Sequence, residues 1–184
     1  MKTRRIVTGI GLDGKSMFLS DASTPRSSEY ESAPGFVASL VWATSPAPQV
    51  GESGMADPTE SVESYVPETG ATRCLIVSFP PDSIMMSADF DPAAFGRESA
   101  QIIPGLADRF EPDSPGMHTT DTVDYGVVLD GEIWLELDNQ QETKVERHQV
   151  VVQQGTRHAW RNKSDRCTTM MFVLIGATRQ QPQR

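Results

Sequence analysis

Gly116-Met117-His118-Thr119-Thr120-Asp121-Thr122-Val123-Asp124-Tyr125-Gly126-Val127-Val128-Leu129-Asp130-Gly131, followed at once by Glu132-Ile133-Trp134-Leu135-Glu136-Leu137-Asp138, is the stretch that decides the fold. Residues 122–129 are rich in β-branched side chains and end on Asp130-Gly131, a dipeptide suited to a tight hairpin turn. Residues 132–138, 143–153, 156–161 and 168–175 read as further strands, separated by polar turns at 139–141, Gly155 and 163–165. Short strands at this spacing predict a sandwich or a closed barrel.

Upstream, residues 4–8 and 16–20 predict a hairpin around Asp13-Gly14, and 36–44 and 72–79 predict strands stopped by prolines. Gly9, Gly11 and Gly14 match a dinucleotide-loop spacing in form, but no helix-forming run follows them, so they carry no nucleotide reading. Residues 45–71 are rich in Pro, Gly, Ser and Glu, with few apolar anchors, and predict a long mobile surface loop. Asp91-Pro92 opens a helix that runs to Ile103 and stops at Pro104-Gly105, with a short turn over 106–110. The polar tail 179–184 is expected to fray.

At 184 residues the chain suits one domain, 1–184, rather than two. Its net charge of −9 and pI near 4.8 argue against nucleic acid or anionic membranes as partners. The densest basic cluster, Lys2, Arg4 and Arg5, reads as a solvated terminus. No run approaches the ~18 apolar residues of a membrane span, and no secretory signal is evident, so the expected location is cytoplasmic. Cys74 and Cys167 both fall in apolar strand-like runs and read as free thiols with no metal-site spacing.

The segment 116–131 resembles the first motif of the cupins, G-x5-H-x-H-x3,4-E-x6-G, and 150–162 resembles the second, G-x5-P-x-G-x2-H-x3-N, with Gly155, His158 and Asn162 in register. The resemblance covers about a third of the chain. It implies an all-β fold, a double-stranded β-helix of the cupin or jelly-roll type. Residues 111–178 would form its core, with N-terminal strands and one or two short helices from 1–110 packed on it. The resemblance also implies a divalent metal in the barrel mouth and a homodimer that exchanges N-terminal segments. His118 takes the first histidine position, Asp124 the glutamate position and His158 the later histidine. Thr120 stands at the second histidine position, Pro112 and Arg147 replace glycines, and Gln153 replaces the proline, so the usual four-ligand site is excluded.

On an unbroken strand, positions 118, 120, 122 and 124 share one face, as do 158, 160 and 162. Two imidazoles and a carboxylate suit iron, and also zinc, nickel or manganese. The expected metal and catalytic set is therefore His118, Asp124 and His158, with Thr120, Trp160 and Asn162 as substrate contacts. A metal-free pocket using the same groups for hydrogen bonding is the other reading. His148 and Asp121 read as exposed turn residues, and Tyr125 as packing. Ile133 and Leu135 suit a narrow interior, which turns Trp134 outward and in need of cover from the N-terminal strands or a second subunit. These features point to an enzyme on a small organic molecule, a lyase, dehydratase or isomerase. The alternatives are a non-haem iron dioxygenase and a non-catalytic binding protein.

Overall fold

Alternation is clearest in the last strand, Thr168–Gly176, where every second residue from Thr168 to Gly176 is buried. In the computed structural model, which describes residues 3–51 and 56–180, this strand lies inside a six-stranded antiparallel sheet. In chain order the strands are β1 (Arg4–Ile10), β2 (Ser16–Ser23), β3 (Arg26–Glu29), β4 (Val37–Thr44), β5 (Thr72–Phe79), β6 (Thr122–Asp130), β7 (Glu132–Glu136), β8 (Glu142–Glu146), β9 (Val150–Gln154), β10 (Ala159–Arg161) and β11 (Thr168–Gly176). The large sheet runs β3-β4-β5-β11-β6-β9 and the small one β10-β7-β8, while β1 and β2 form a separate hairpin. Ile133, Leu135 and Val145 of the small sheet join Leu40, Leu75, Val128, Met170, Phe172 and Leu174 of the large one in a single core. Two facing antiparallel sheets over one apolar layer, with outward polar residues, are what the period of two dictates.

The N-terminal half is not packed on the barrel but built into it: β3, β4 and β5 supply half of the large sheet. The helix falls where expected, at α2 (Pro92–Ile102), after a short α1 (Asp82–Met85). Asp91 caps α2 by accepting from the amides of Ala93 and Ala94 at 2.8 and 3.0 Å.

Four expectations are corrected. Residues 143–153 are two strands, because His148 adopts a left-handed backbone (φ 67°) and turns the chain between β8 and β9. Within 56–71 the chain has a firm anchor. Tyr65 is only 1% exposed beneath Arg26, and Gly176 passes so close to the Glu68 backbone that no side chain fits there. Residues 52–55 of that expected loop lie outside the described residues. Arg5 is buried rather than solvated, because Asp57 pairs with it and the Val41 carbonyl accepts from it at 3.1 Å. Lys2, of the same expected cluster, lies outside the described residues. Arg179, expected to fray, donates to Asp121 and to the Thr120 and Gly155 carbonyls. Residues 181–184 lie outside the description.

Trp134 does turn outward, with Ile133 and Leu135 inside, but its cover is Lys144 and Lys163, whose ammonium groups lie 5.5 and 5.9 Å from the ring. Both cysteines are free thiols, and Cys167 is exposed just before β11 rather than within an apolar strand. No helix among the described residues is long and apolar enough to cross a membrane.

Candidate functional site

His118 and His158 meet across an isolated antiparallel bridge, each backbone amide donating to the other's carbonyl at 2.9 and 3.0 Å. Directly opposed residues of such a pair project to the same face, and the two rings lie 4.2 Å apart between centroids. Phe110 flanks His118 at 4.8 Å, and Trp160 flanks His158 at 5.9 Å and then reaches Phe172 at 5.5 Å. Five rings thus run in file into the core.

Both imidazoles have one tautomer dictated by their neighbours. Nδ1 of His118 lies 3.0 Å from the Gly116 carbonyl, and Nδ1 of His158 lies 2.9 Å from the Thr156 carbonyl. A carbonyl only accepts, so Nδ1 carries the proton in each ring and Nε2 keeps its lone pair. Burial holds His158 down at about 4, with the His118 ring adding to the effect and the Thr156 carbonyl opposing it. Burial also pulls His118 below its ordinary value, against the Gly116 carbonyl and the Glu111 charge. Both rings are therefore neutral at pH 7.

Asp124 lies mid-strand on β6, opposite Gln153 of β9 on one side and Leu174 of β11 on the other. It is 7% exposed, and its Oδ1 has no hydrogen-bond partner. Burial pushes its carboxyl up to about 6, with the Thr122 hydroxyl pulling the other way. Thr120 and Thr122 bond each other through their hydroxyls at 2.7 Å, continuing the polar line towards Asp124. Gly126 lies opposite Phe172 in close approach, and a Cβ there would meet the Phe172 ring at 3.0 Å and push it aside by a few tenths of an ångström.

Two motifs separated in sequence converge on one histidine pair, within two facing antiparallel sheets. This is an all-β barrel of two facing antiparallel sheets.

The three-residue metal set expected from the motifs is not assembled. Among the described residues no three His, Cys, Asp or Glu side chains are close enough to hold an ion. His118 and His158 fit half of the requirement, because a ligating imidazole commonly donates its other nitrogen to a backbone carbonyl. Asp124 does not complete it, being short by a methylene relative to glutamate and set in the ladder against Gln153. Asn162 is also corrected, since its side chain has no capacity left for substrate. Its Nδ2 donates to the Phe79 and Arg166 carbonyls at 2.9 and 2.8 Å, and its Oδ1 accepts from the Ser164 amide and hydroxyl. It clamps the loop between β10 and β11. Trp160 stands beside the histidine pair, and the Thr120 hydroxyl is engaged with that of Thr122. Tyr125 and His148 are exposed, and Asp121 pairs with Arg179 on the surface.

Gln153 was missed as a functional residue. It is 4% exposed, its carbonyl accepts from the Thr156 hydroxyl, and its Nε2 has no partner. The available signal was an amide just after Val150-Val151-Val152, at the parity of the buried face.

No protein-family model matches this chain. Two curated proteins of Diaporthe leptostromiformis, Phomopsin biosynthesis cluster proteins C' and D, are 50% identical over 62 residues, 33% of this chain and 33% of each relative. Oryzines biosynthesis cluster protein J of Aspergillus oryzae is 48% identical over 50 residues, 27% of this chain and 28% of that protein. The matched segments thus span about a third of the length of the curated relatives. Among solved structures, a putative ethanolamine utilization protein from Salmonella typhimurium superposes over 97% of this chain and 99% of its own, at TM-score 0.42 and 8% identity. A Cupin 2 conserved barrel domain protein from Salinispora arenicola does so over 77% and 76%, at TM-score 0.40 and 15% identity. Superpositions this loose add nothing about chemistry; the fold rests on this chain's own strand pairing.

Proposed function

We propose that the barrel binds a small organic molecule and moves a proton to or from it, as a lyase, dehydratase or isomerase does. The observation that carries this reading is a buried carboxyl with an unpaired oxygen and a pKa of about 6, in a barrel that also buries two neutral imidazoles of fixed tautomer. A proton-transfer group is most effective with its pKa near the working pH, which selects Asp124 over the more acidic imidazolium of His158. The Nε2 atoms of His118 and His158 then accept hydrogen bonds from hydroxyl or amine donors of the substrate and orient it. Trp160 and Phe172 supply an apolar wall, and burial keeps water from competing for the proton. No step is assigned to zinc, iron, nickel or manganese, because the third ligand such an ion needs is not brought to the two imidazoles.

The names of the sequence relatives support a role in a biosynthetic cluster. The test compares metabolites of strains producing the wild-type chain or its Asp124→Asn variant. A precursor should accumulate with the variant, and purified wild-type protein should convert that precursor in vitro. Conversion by neither form, with equal binding to both, would mean a binding protein; oxygen consumption during conversion would mean a dioxygenase.

We also propose a homodimer. The hairpin of β1 and β2 exposes Phe18 (73% exposed), Met17 and Ile6, while Tyr125, Val150 and Val152 are exposed on the outer faces of β6 and of the edge strand β9. A protein of 20.2 kDa should therefore sediment at twice that mass, and Phe18→Glu should shift it to monomer. A wild-type monomer at micromolar concentration would refute the assignment.

A further inference from the structure

Two polar atoms inside the barrel lack partners, and they sit on neighbouring residues. Asp124 and Gln153 are directly paired across β6 and β9, both buried by more than nine-tenths, and both at the inward parity of their strands. Directly opposed residues place their Cβ atoms about 5 Å apart. Yet Asp124 Oδ1 and Gln153 Nε2 bond neither each other nor anything else, while the other end of the Gln153 amide is held by Thr156. Buried polar groups are nearly always partnered, so an adjacent acceptor and donor both left open point to a ligand that supplies a matching pair.

We propose that Asp124 and Gln153 together read a primary carboxamide of the ligand, its N–H donating to Asp124 Oδ1 and its carbonyl accepting from Gln153 Nε2. This rests on the reading that small organic molecules enter the barrel. The chemistry selects among functional groups. A primary carboxamide carries an N–H and a carbonyl oxygen on one edge and answers both side chains with two parallel bonds, whereas a trans peptide amide points the two in opposite directions. An ester or ketone offers only an acceptor and leaves Asp124 open. A carboxylate has no donor and brings a second negative charge against an ionised Asp124. Site-built hydrogen bonding of this kind discriminates strongly against analogues lacking the partner group.

The test follows the side-chain amide signal of Gln153 and the ring signals of His118 and His158 by NMR during titration with acetamide, N-methylacetamide, methyl acetate, acetate and ethanol. Acetamide should shift the Gln153 signal saturably, with at least tenfold weaker responses to N-methylacetamide, methyl acetate, acetate and ethanol, and Gln153→Leu should weaken the acetamide response at the histidine rings at least tenfold. Equal response to methyl acetate or ethanol would overturn the amide assignment. Movement of the histidine signals without Gln153 would overturn it while leaving the barrel a small-molecule site. No response at either place would overturn both. A free-state Gln153 signal shifted downfield by Asp124, and normalised by Asp124→Asn, would show the pair satisfying itself and would equally refute the proposal.

Discussion

Asp124→Asn should inactivate the protein and make it more stable at the same time. Removing the group that transfers the proton is expected to lower turnover by roughly 10²–10⁴-fold, with a smaller change in KM. Stability moves the other way because the folded carboxyl, at about 6, binds its proton more tightly than the ordinary value of 3.8. The stabilising contribution of that proton is fully present below pH 3.8 and is lost as pH rises through 6. At pH 8 the fold therefore carries a buried charge that costs about 3 kcal/mol relative to the unfolded chain. Asparagine keeps the shape without the charge, so the melting temperature at pH 8 should rise by roughly 5–10 °C. Calorimetry of the two proteins at pH 8 checks it. A lowered melting temperature would show that the carboxylate is satisfied in the fold and has no reason to be kept for chemistry.

The second expected effect is on acid stability, and it separates two opposing slopes. His158 has a folded value of about 4 against an ordinary 6.5. Between those values the unfolded chain takes up a proton that the folded chain refuses. Its contribution is present above pH 6.5 and falls away as pH drops, by about 3 kcal/mol at pH 4. Asp124 works in the reverse sense over nearly the same window, so in the wild type the two largely cancel between pH 4 and 6. Asp124→Asn should expose the histidine slope, with stability falling steeply on acidification, and His158→Phe should expose the aspartate slope, with stability rising. Urea denaturation at half-unit pH steps measures both. Parallel profiles in the two variants would mean that neither group is perturbed as described.

Most of the barrel was legible because apolar, β-prone runs bounded by polar turns mark strands, as in residues 168–175, where Met170 to Ile175 are all apolar and every second residue is buried. β3 was not legible: Arg26-Ser27-Ser28-Glu29 has neither β-branched nor aromatic residues, and it becomes a strand only because β4 offers it a free edge. The turn at His148 was hidden for a different reason, a left-handed backbone at a residue that is neither glycine nor asparagine. In the site, the pairing of His118 with His158 followed from the motifs, whereas the inclusion of Asp124 with them did not hold. Parity holds only along an unbroken strand, and the chain bends at Asp121 between the isolated bridge at His118 and the start of β6 at Thr122. Asn162 illustrates the converse: the right residue at a motif position, its hydrogen bonds wholly consumed by its own loop. The sequence marks Gln153 as buried, but only the ladder sets its open donor opposite the open acceptor of Asp124.

The file of rings from Phe110 to Phe172 makes the molecule its own indicator. Trp160 stands edge-on to His158 at 5.9 Å, and an imidazolium, unlike a neutral imidazole, accepts an electron from an excited indole and quenches its emission. The charge state of the innermost histidine is thereby written into the light the protein emits. A ligand that settles against that ring announces itself without any added label or known reaction, which gives a chain of unidentified substrate an optical means of choosing among candidates.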